Sequence, residues 1–300
     1  YCQQKMAVQL ADPADRTNRL NSARQALERI TAQFPTSAAV PAAILERANC
    51  SIDLNDTGTA LNELNKFKQD PLKSTAVAPL AFIRLATLLR SQNKAAEAAT
   101  LLADGRASYE AALANDASRA AWAPLLAYHH ALAVKDTGKL VDAQKLFEAV
   151  SQKYTASAEA ADAAWRSGQC RREDAVARLQ LAIAAAQKPG AKPEEVTAAN
   201  QQRADCLKQL TETATFLTQQ ASAVASKAAG SETHQRLIYE TAWCYQTLAD
   251  QEIEAARIKL NQELLKKFQE EQAKAAAKPT VNGATPVAVG TAVPAPQPPA

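Results

Sequence analysis

Two adjacent histidines, His129 and His130, are the residues of this chain whose type most readily does chemistry, since imidazole ligates metals and moves protons near neutral pH. Their spacing argues against both uses. Neighbouring side chains on a helix point about 100° apart, so one ion cannot easily take both rings. One is expected to face a core and the other a groove. His234 stands alone, with no Ser or Cys nucleophile motif beside it. The five cysteines (Cys2, Cys50, Cys170, Cys206 and Cys244) are scattered without a CxxC pair, and zinc sites need closer spacing. They read as small buried helix residues. Cys2 as a lipid-anchored terminus is set aside, because a helical repeat is expected to follow it at once. There is no Gly-rich phosphate loop, no HExxH and no GxSxG. No catalytic residue, metal site or cofactor is therefore expected. Trp122 and Trp243, at helical spacing among apolar residues, read as core; Trp165 is kept as a binding candidate.

The elements that must carry these residues are helical. Ala, Leu, Gln, Glu, Lys and Arg dominate, with only 8 Gly and 5% aromatics, a mixture that loses little side-chain entropy in a helix. Alternating Val, Ile and Thr runs are absent, so strands are not expected. Basic and acidic residues, 34 and 31, are interspersed and leave a net charge of +3, without the clustered basic footprint of a nucleic-acid binder. No apolar stretch approaches the ~20 residues of a membrane span. The chain begins with Tyr1 rather than Met, so it reads as part of a longer protein.

A register recurs along the first two thirds. Asp56-Thr57-Gly58 returns as Asp136-Thr137-Gly138, and nine residues beyond each glycine stand Phe67 and Phe147. Asn93 is followed by Ala98 and Leu102 at plus five and plus nine, and Asn18 by Ala23 and Leu27; Gly138 has Ala143 at plus five. Glu63 alone breaks the small-residue rule. Seven residues before each turn stand Ala11, Ser51, Ala86 and Ala131. Gly and Asn tolerate the left-handed conformation that ends one helix and admits the next. Offsets of five and nine lie on one helix face, so a small and a bulky residue there let two helices interlock. Phe34-Pro35-Thr36-Ser37 and Tyr154-Thr155-Ala156-Ser157 read as helix ends followed by Ser or Thr caps.

These residues, Ala131, Gly138, Ala143, Phe147 and the Tyr154 boundary above all, resemble the tetratricopeptide repeat family. Ala160 to Cys170, with Trp165 and Gly168, looks like the first helix of a further unit, in a pattern similar to bacterial cell-envelope members. The resemblance covers about residues 1–190. It implies an all-α, right-handed solenoid of helical hairpins that binds a protein or peptide on its concave face, and a cell-envelope or periplasmic location. Carried over by register, that face holds Asn55, Arg90, Tyr128, Lys135, Trp165, Gln169 and Arg172.

After Lys188-Pro189-Gly190 the pattern changes. Lys192-Pro193-Glu194-Glu195 starts a helix, with proline in the first turn and carboxylates at the positive end of the dipole. Val196, Ala199, Cys206, Leu210, Thr213, Leu217 and Val224 form its apolar line. Gly230-Ser231 ends it and caps a second helix, whose line is Ile238, Ala242, Tyr245, Leu248, Ile253, Leu260, Leu264 and Phe268. Residues 191–278 thus read as a long antiparallel hairpin, either a coiled-coil-like extension or a cap on the last repeat. Residues 279–300, rich in Pro and Ala, read as a disordered linker.

Two functional readings follow: a non-catalytic scaffold that binds a polypeptide partner, or a structural spacer that assembles with copies of itself. A regulatory arm of an enzyme lying outside this chain also fits the Pro-rich end. None of them calls for nucleic acid or a membrane span.

Overall fold

The computed structural model describes residues 12–276. The Cys2 and Ala11 readings and the linker at 279–300 lie outside these residues. Ten α-helices, and no strand, occur among the described residues: α1 (Pro13–Gln33), α2 (Val40–Asp53), α3 (Thr57–Asn65), α4 (Ala78–Ser91), α5 (Ala95–Ala114), α6 (Trp122–Asp136), α7 (Leu140–Lys153), α8 (Ala158–Ala186), α9 (Pro193–Ala228) and α10 (Glu232–Ala276). The protein is an all-α array of antiparallel helical hairpins, and the start of α10, through Leu237 and Cys244, packs with α8 and α9. Two compact units part between Leu248 and Ala249.

In the first unit each helix packs on the next, and α4, α6 and α8 also pack in succession. One apolar cluster joins α1 to α2 around Leu20 and Cys50. A second runs from α2 to α6 around Phe67, Phe82 and Leu126. A third joins α6, α7 and α8 around Phe147. The fourth gathers α8, α9 and the start of α10 around Leu210, Leu217 and Leu237. In the second unit, the helix to Ala276 exposes Ile253, Leu260, Leu264, Leu265 and Phe268 by more than half each.

The turns hold the register, with two corrections. Left-handed backbone occurs at Asn55, Asn93 and Gly138, with φ of 59°, 60° and 81°. Asn93 and Gly138 are as expected. In the preceding repeat the turn residue is Asn55 and not Gly58, which lies inside the first turn of α3. After Asn55 and Asn93 the next amide donates back across the helix end, Asp56 to the Ser51 carbonyl at 2.8 Å and Lys94 to that of Leu89 at 2.9 Å. Asn can close such a motif because its short polar side chain tolerates φ > 0. Counting from Asn55 removes the Glu63 anomaly. Plus five then falls on Ala60, Ala98 and Ala143, plus nine on Leu64, Leu102 and Phe147, and minus seven on Ala48, Ala86 and Ala131, all fully buried. Asn18 is the second correction. It lies within α1, which Asp12 caps by accepting the Ala14 amide at 2.7 Å, with Pro13 at the first position. Ala23 and Leu27 are still buried there, because helical periodicity places them whichever residue begins the helix.

Glu63, instead of departing from the pattern, is a buried carboxylate held by Arg47 at 2.8 Å and Lys66 at 3.0 Å. Cys50, Cys170, Cys206 and Cys244 are buried free thiols, and burial pushes Cys50 up to about 11 and Cys170 to about 12. Thiols held protonated in this way are poor nucleophiles.

The line of α9 is as expected: Ala199, Cys206, Leu210, Thr213 and Leu217 are buried. Its start is as expected too, with the Glu195 carboxylate accepting the Lys192 amide at 3.1 Å. Glycine is required at one helix crossing. A Cβ at Gly168 would sit 2.8 Å from Leu217 Cγ and closer still to Cδ2, so the α9 leucine occupies the space that a side chain would fill. α8 does not break after its first turns, as a repeat helix would, but runs unbroken to Ala186. The line of α10 shifts by one residue. Leu237, Glu240 and Cys244 are buried, whereas Ile238 and Tyr245 are 51% and 54% exposed. Two apolar lines one residue apart are equivalent by periodicity alone; the position of α8 and α9 selects between them.

Candidate functional site

The first helices of successive hairpins are tied to one another by charge. At the end of α4, Arg90 Nε donates to Asp136 of α6 at 2.6 Å. At the end of α6, Lys135 Nζ reaches Glu173 of α8 at 3.0 Å. On α8, Arg172 meets Glu240 of α10 through Nη2 at 2.9 Å and Nε at 3.2 Å. Higher on the same helices, the Tyr128 hydroxyl of α6 donates to Asp162 of α8, whose other oxygen accepts from Arg236 of α10 at 3.2 Å. Arg90 and Lys135 stand three residues before Asn93 and Gly138, so the turn register also sets these rungs. The start of α10 therefore stands beside α8 as α8 stands beside α6.

Four of the seven sequence-derived candidates are accounted for by this frame. Arg90, Lys135 and Arg172 are engaged with carboxylates rather than open to solvent. Tyr128 is bonded to Asp162 and tilted against Phe147 with ring centroids 5.7 Å apart; burial, then that carboxylate, pushes its hydroxyl well above the usual phenol range. Asn55 lies apart from them at the α2–α3 turn, beside Pro13, Arg16 and Leu20 of α1.

Trp165, Gln169 and Arg172, one helical turn apart, come together. They form one wall of a cleft of about 590 Å³, whose other wall is the start of α10, with Arg236, Tyr239, Glu240 and Trp243. Tyr239 and Trp243, also one turn apart, stand edge to face at 6.2 Å and are 64% and 41% exposed. Over the Trp165 ring lie two guanidinium groups, Arg166 at 4.0 Å and Arg236 at 4.8 Å, and Arg172 lies 5.6 Å from Trp243. Arg172 and Arg236 lie over these rings while bonded to carboxylates, whereas Arg166 donates to the Gln169 side chain at 3.0 Å. The cleft is thus aromatic, with its lining residues Arg172, Arg236, Glu232 and Glu240 engaged in ion pairs.

Trp243 corrects the sequence reading: it is no core residue but part of this wall, while Trp122 does pack against a core cluster. The one-residue shift of α10 is the reason, since turning Leu237 and Cys244 inward turns Tyr239 and Trp243 toward α8. The i, i+4 pair of aromatics was visible in the sequence; which side of the helix it would occupy was not.

The histidines are also placed. His129 and His130 are both partly buried, and neither is among the residues that line the α8–α10 cleft. Burial, then Arg90 and Arg84, pulls His129 down to about 4; burial, then Arg106, does the same to His130. His234 lies in the first turn of α10, its Nδ1 accepting the Gly230 amide at 3.1 Å. Ser231 caps α10 by accepting the His234 amide, but Ser157 at the head of α8 makes no such bond. Among the described residues no group of His, Cys, Asp and Glu could hold a metal ion, and no helix is long and apolar enough to cross a membrane.

No protein-family model matches the chain. No curated protein matches it either. Among solved structures, it is similar to a TPR repeats protein of Bacteroides fragilis, with 13% identity and a TM-score of 0.32 over 80% of this chain and 96% of that one. A likeness at that level carries neither fold nor function; the assignment of the hairpins rests on the turns, the buried register and the helix order described above.

Proposed function

We propose that this protein is a non-catalytic interaction scaffold that binds a polypeptide partner, with the cleft between α8 and α10 as its principal contact. The supporting observation is the exposed aromatic pair Tyr239 and Trp243 facing Trp165 in a cleft whose charged groups already have partners. Large rigid aromatics give contact area at low entropic cost, and Trp, Tyr and Arg predominate among binding anchors. The first-helix face that the sequence assigned to binding contributes Trp165, Gln169 and Arg172 to this contact. Its remaining candidates serve mainly to hold the helices that carry it.

Selection of peptides from a displayed random library on the full chain tests the reading. Enriched peptides should lose at least tenfold in affinity for a Tyr239→Ala/Trp243→Ala variant, both residues being exposed enough to be removed without unfolding the protein. Unchanged affinity, or no enrichment at all, removes the cleft from this role.

Self-assembly is the second reading, drawn from the second unit, where Ile253, Leu260, Leu264 and Phe268 are exposed along one helix. Light scattering across a hundredfold concentration range separates the two. A monomer throughout argues against the spacer.

A further inference from the structure

We infer that the second unit is a dimerisation helix: α10 from Glu252 to Lys274 packs antiparallel against the same segment of a second copy of this chain, with Leu264 at the two-fold axis. The inference rests on the self-assembly reading and deepens it by naming the segment, the partner and the register. None of the residues lining the α8–α10 cleft takes part, so the binding role proposed for the cleft does not depend on it.

The face that would pair is exposed. α10 runs unbroken from Glu232 to Ala276. At about 100° per residue, Ile253, Arg257, Leu260, Leu264, Phe268 and Glu271 therefore fall within about 80° of one another around its axis. The four apolar members of this line are 65%, 56%, 55% and 57% exposed in that order. A helix in water draws most of its stability from packing an apolar face, and an uncovered face of this kind marks an interaction site.

The two charges in the line select the occupant. Arg257 stands seven residues before Leu264 and Glu271 seven residues after it. Two copies side by side in the same direction would set Arg257 against Arg257 and Glu271 against Glu271, like charges at the seam. Turned end for end about Leu264, each residue meets the one equally far beyond that centre. Arg257 then meets Glu271 of the partner subunit, and does so twice in the dimer, while Leu260 lies against Phe268 of the partner subunit. Arg257 loses little by the exchange, since its pair with Glu254 on the same helix is 3.6 Å long and exposed.

The border of the line agrees with this register. Glu252, Lys259, Glu263, Lys267, Glu270 and Lys274 lie along one side of it, and all are exposed. Antiparallel pairing brings like edges together. Glu252 then falls opposite Lys274 of the partner subunit, Lys259 opposite Glu270 of the partner subunit, and Glu263 opposite Lys267 of the partner subunit. The face is thus complementary in charge to itself in one direction only.

Sedimentation velocity on the full chain, over a hundredfold concentration range, should show a monomer–dimer equilibrium. Arg257→Glu and Glu271→Arg should each raise the dimer dissociation constant at least about tenfold, and the combined Arg257→Glu/Glu271→Arg chain should return to within about threefold of the unaltered one. A parallel pair would not respond in this way, because every one of these chains would keep like charges at its seam. Cross-linking reads the direction separately. In a chain with Cys2 changed to Ser, the remaining thiols are buried. There Leu264→Cys should give a covalent dimer with a short bismaleimide, and Ile253→Cys should not, because the two copies of residue 253 would lie about 33 Å apart at 1.5 Å per residue.

A chain that stays monomeric throughout would overturn this inference and the self-assembly reading together. A dimer indifferent to the single reversals would overturn the pairing and leave self-assembly standing. So would losses that the combined change does not repair, or cross-linking through Ile253→Cys.

Discussion

The same kind of rung joins the helices at two places in the molecule, and its surroundings differ. Within the repeat array, Arg90 meets Asp136 with side chains 20% and 38% exposed, and the helices around them interlock through fully buried Ala and Leu or Phe. At the end of the array, Arg172 meets Glu240 with side chains 16% and 4% exposed, and the crossing of α8 and α9 depends on one glycine accepting one leucine. The array is held by a repeated, forgiving contact, and its rungs are accessory. The terminal bundle is held by contacts that occur once. There the charge pair lies inside the structure, and the aromatic cleft is built directly upon it.

The sharpest way to break this comparison is to remove the cation of each rung. Arg172→Met leaves Glu240 as a buried carboxylate without its partner and should destabilise by about 3–5 kcal/mol, whereas a paired Arg172→Met/Glu240→Leu variant should recover most of the loss. Arg90→Met, at a partly exposed pair, should cost no more than ~1 kcal/mol. Urea denaturation of the variants measures both, and equal losses would mean that the two rungs do not differ in kind.

Next in size is Gly168→Val. The new side chain would occupy the place of Leu217, with an expected loss of about 3 kcal/mol, at the upper end of ordinary overpacking. A companion Leu217→Ala change should restore part of it, which a backbone effect of valine in a helix would not allow. Thermal melts of the single and double variants decide between them.

Acid should act on the array through neutral imidazoles and an ionised carboxylate, with the same sign of effect. His129 and His130, lowered to about 4 by burial and neighbouring arginines, favour the unfolded chain once pH falls below the ordinary histidine value near 6.5. Their penalty grows until pH reaches about 4 and then levels. Glu110 is lowered to about 2. Burial alone would raise it, but bonds from Arg106 at 2.8 Å and from Lys153 and Tyr154 at 2.6 Å overcome that effect. Its stabilisation is complete above the unfolded carboxylate range near 4.3 and disappears as pH falls toward 2. Stability should therefore fall in two stages, from pH 6.5 to 4 and from 4.3 to 2. A His129→Gln/His130→Gln variant should show only the second, by on the order of 2 kcal/mol in the first window. A first stage unchanged in that variant would assign it elsewhere.

Much of the fold was legible because it repeats. Small residues at fixed offsets from a turn, and bulky ones one turn further, survive as a pattern even where the turn residue is misassigned, as at Asn18 and Gly58. One anchor three residues away, Asn55, brought every offset into agreement. The candidate site was legible in part. Trp165, Gln169 and Arg172 were visible as one stripe of a helix. Tyr239 and Trp243 were visible only as helical aromatics, and the cations at Arg90 and Lys135 gave no sign that they were already paired.

What the sequence by itself determined is what depends on local physics: helical propensity, caps at Asp12 and Ser231, left-handed turns at Asn93 and Gly138, and the spacing of the small residues between them. What only the tertiary structure decided is which of two adjacent lines of α10 turns inward, which charges find one another, and that a helix from the last hairpin supplies half of a cleft begun by α8. The reason is range. A turn or a cap involves neighbours a few residues apart, whereas Arg172 and Glu240 are brought together by the packing of three helices, whose outcome no window of sequence contains.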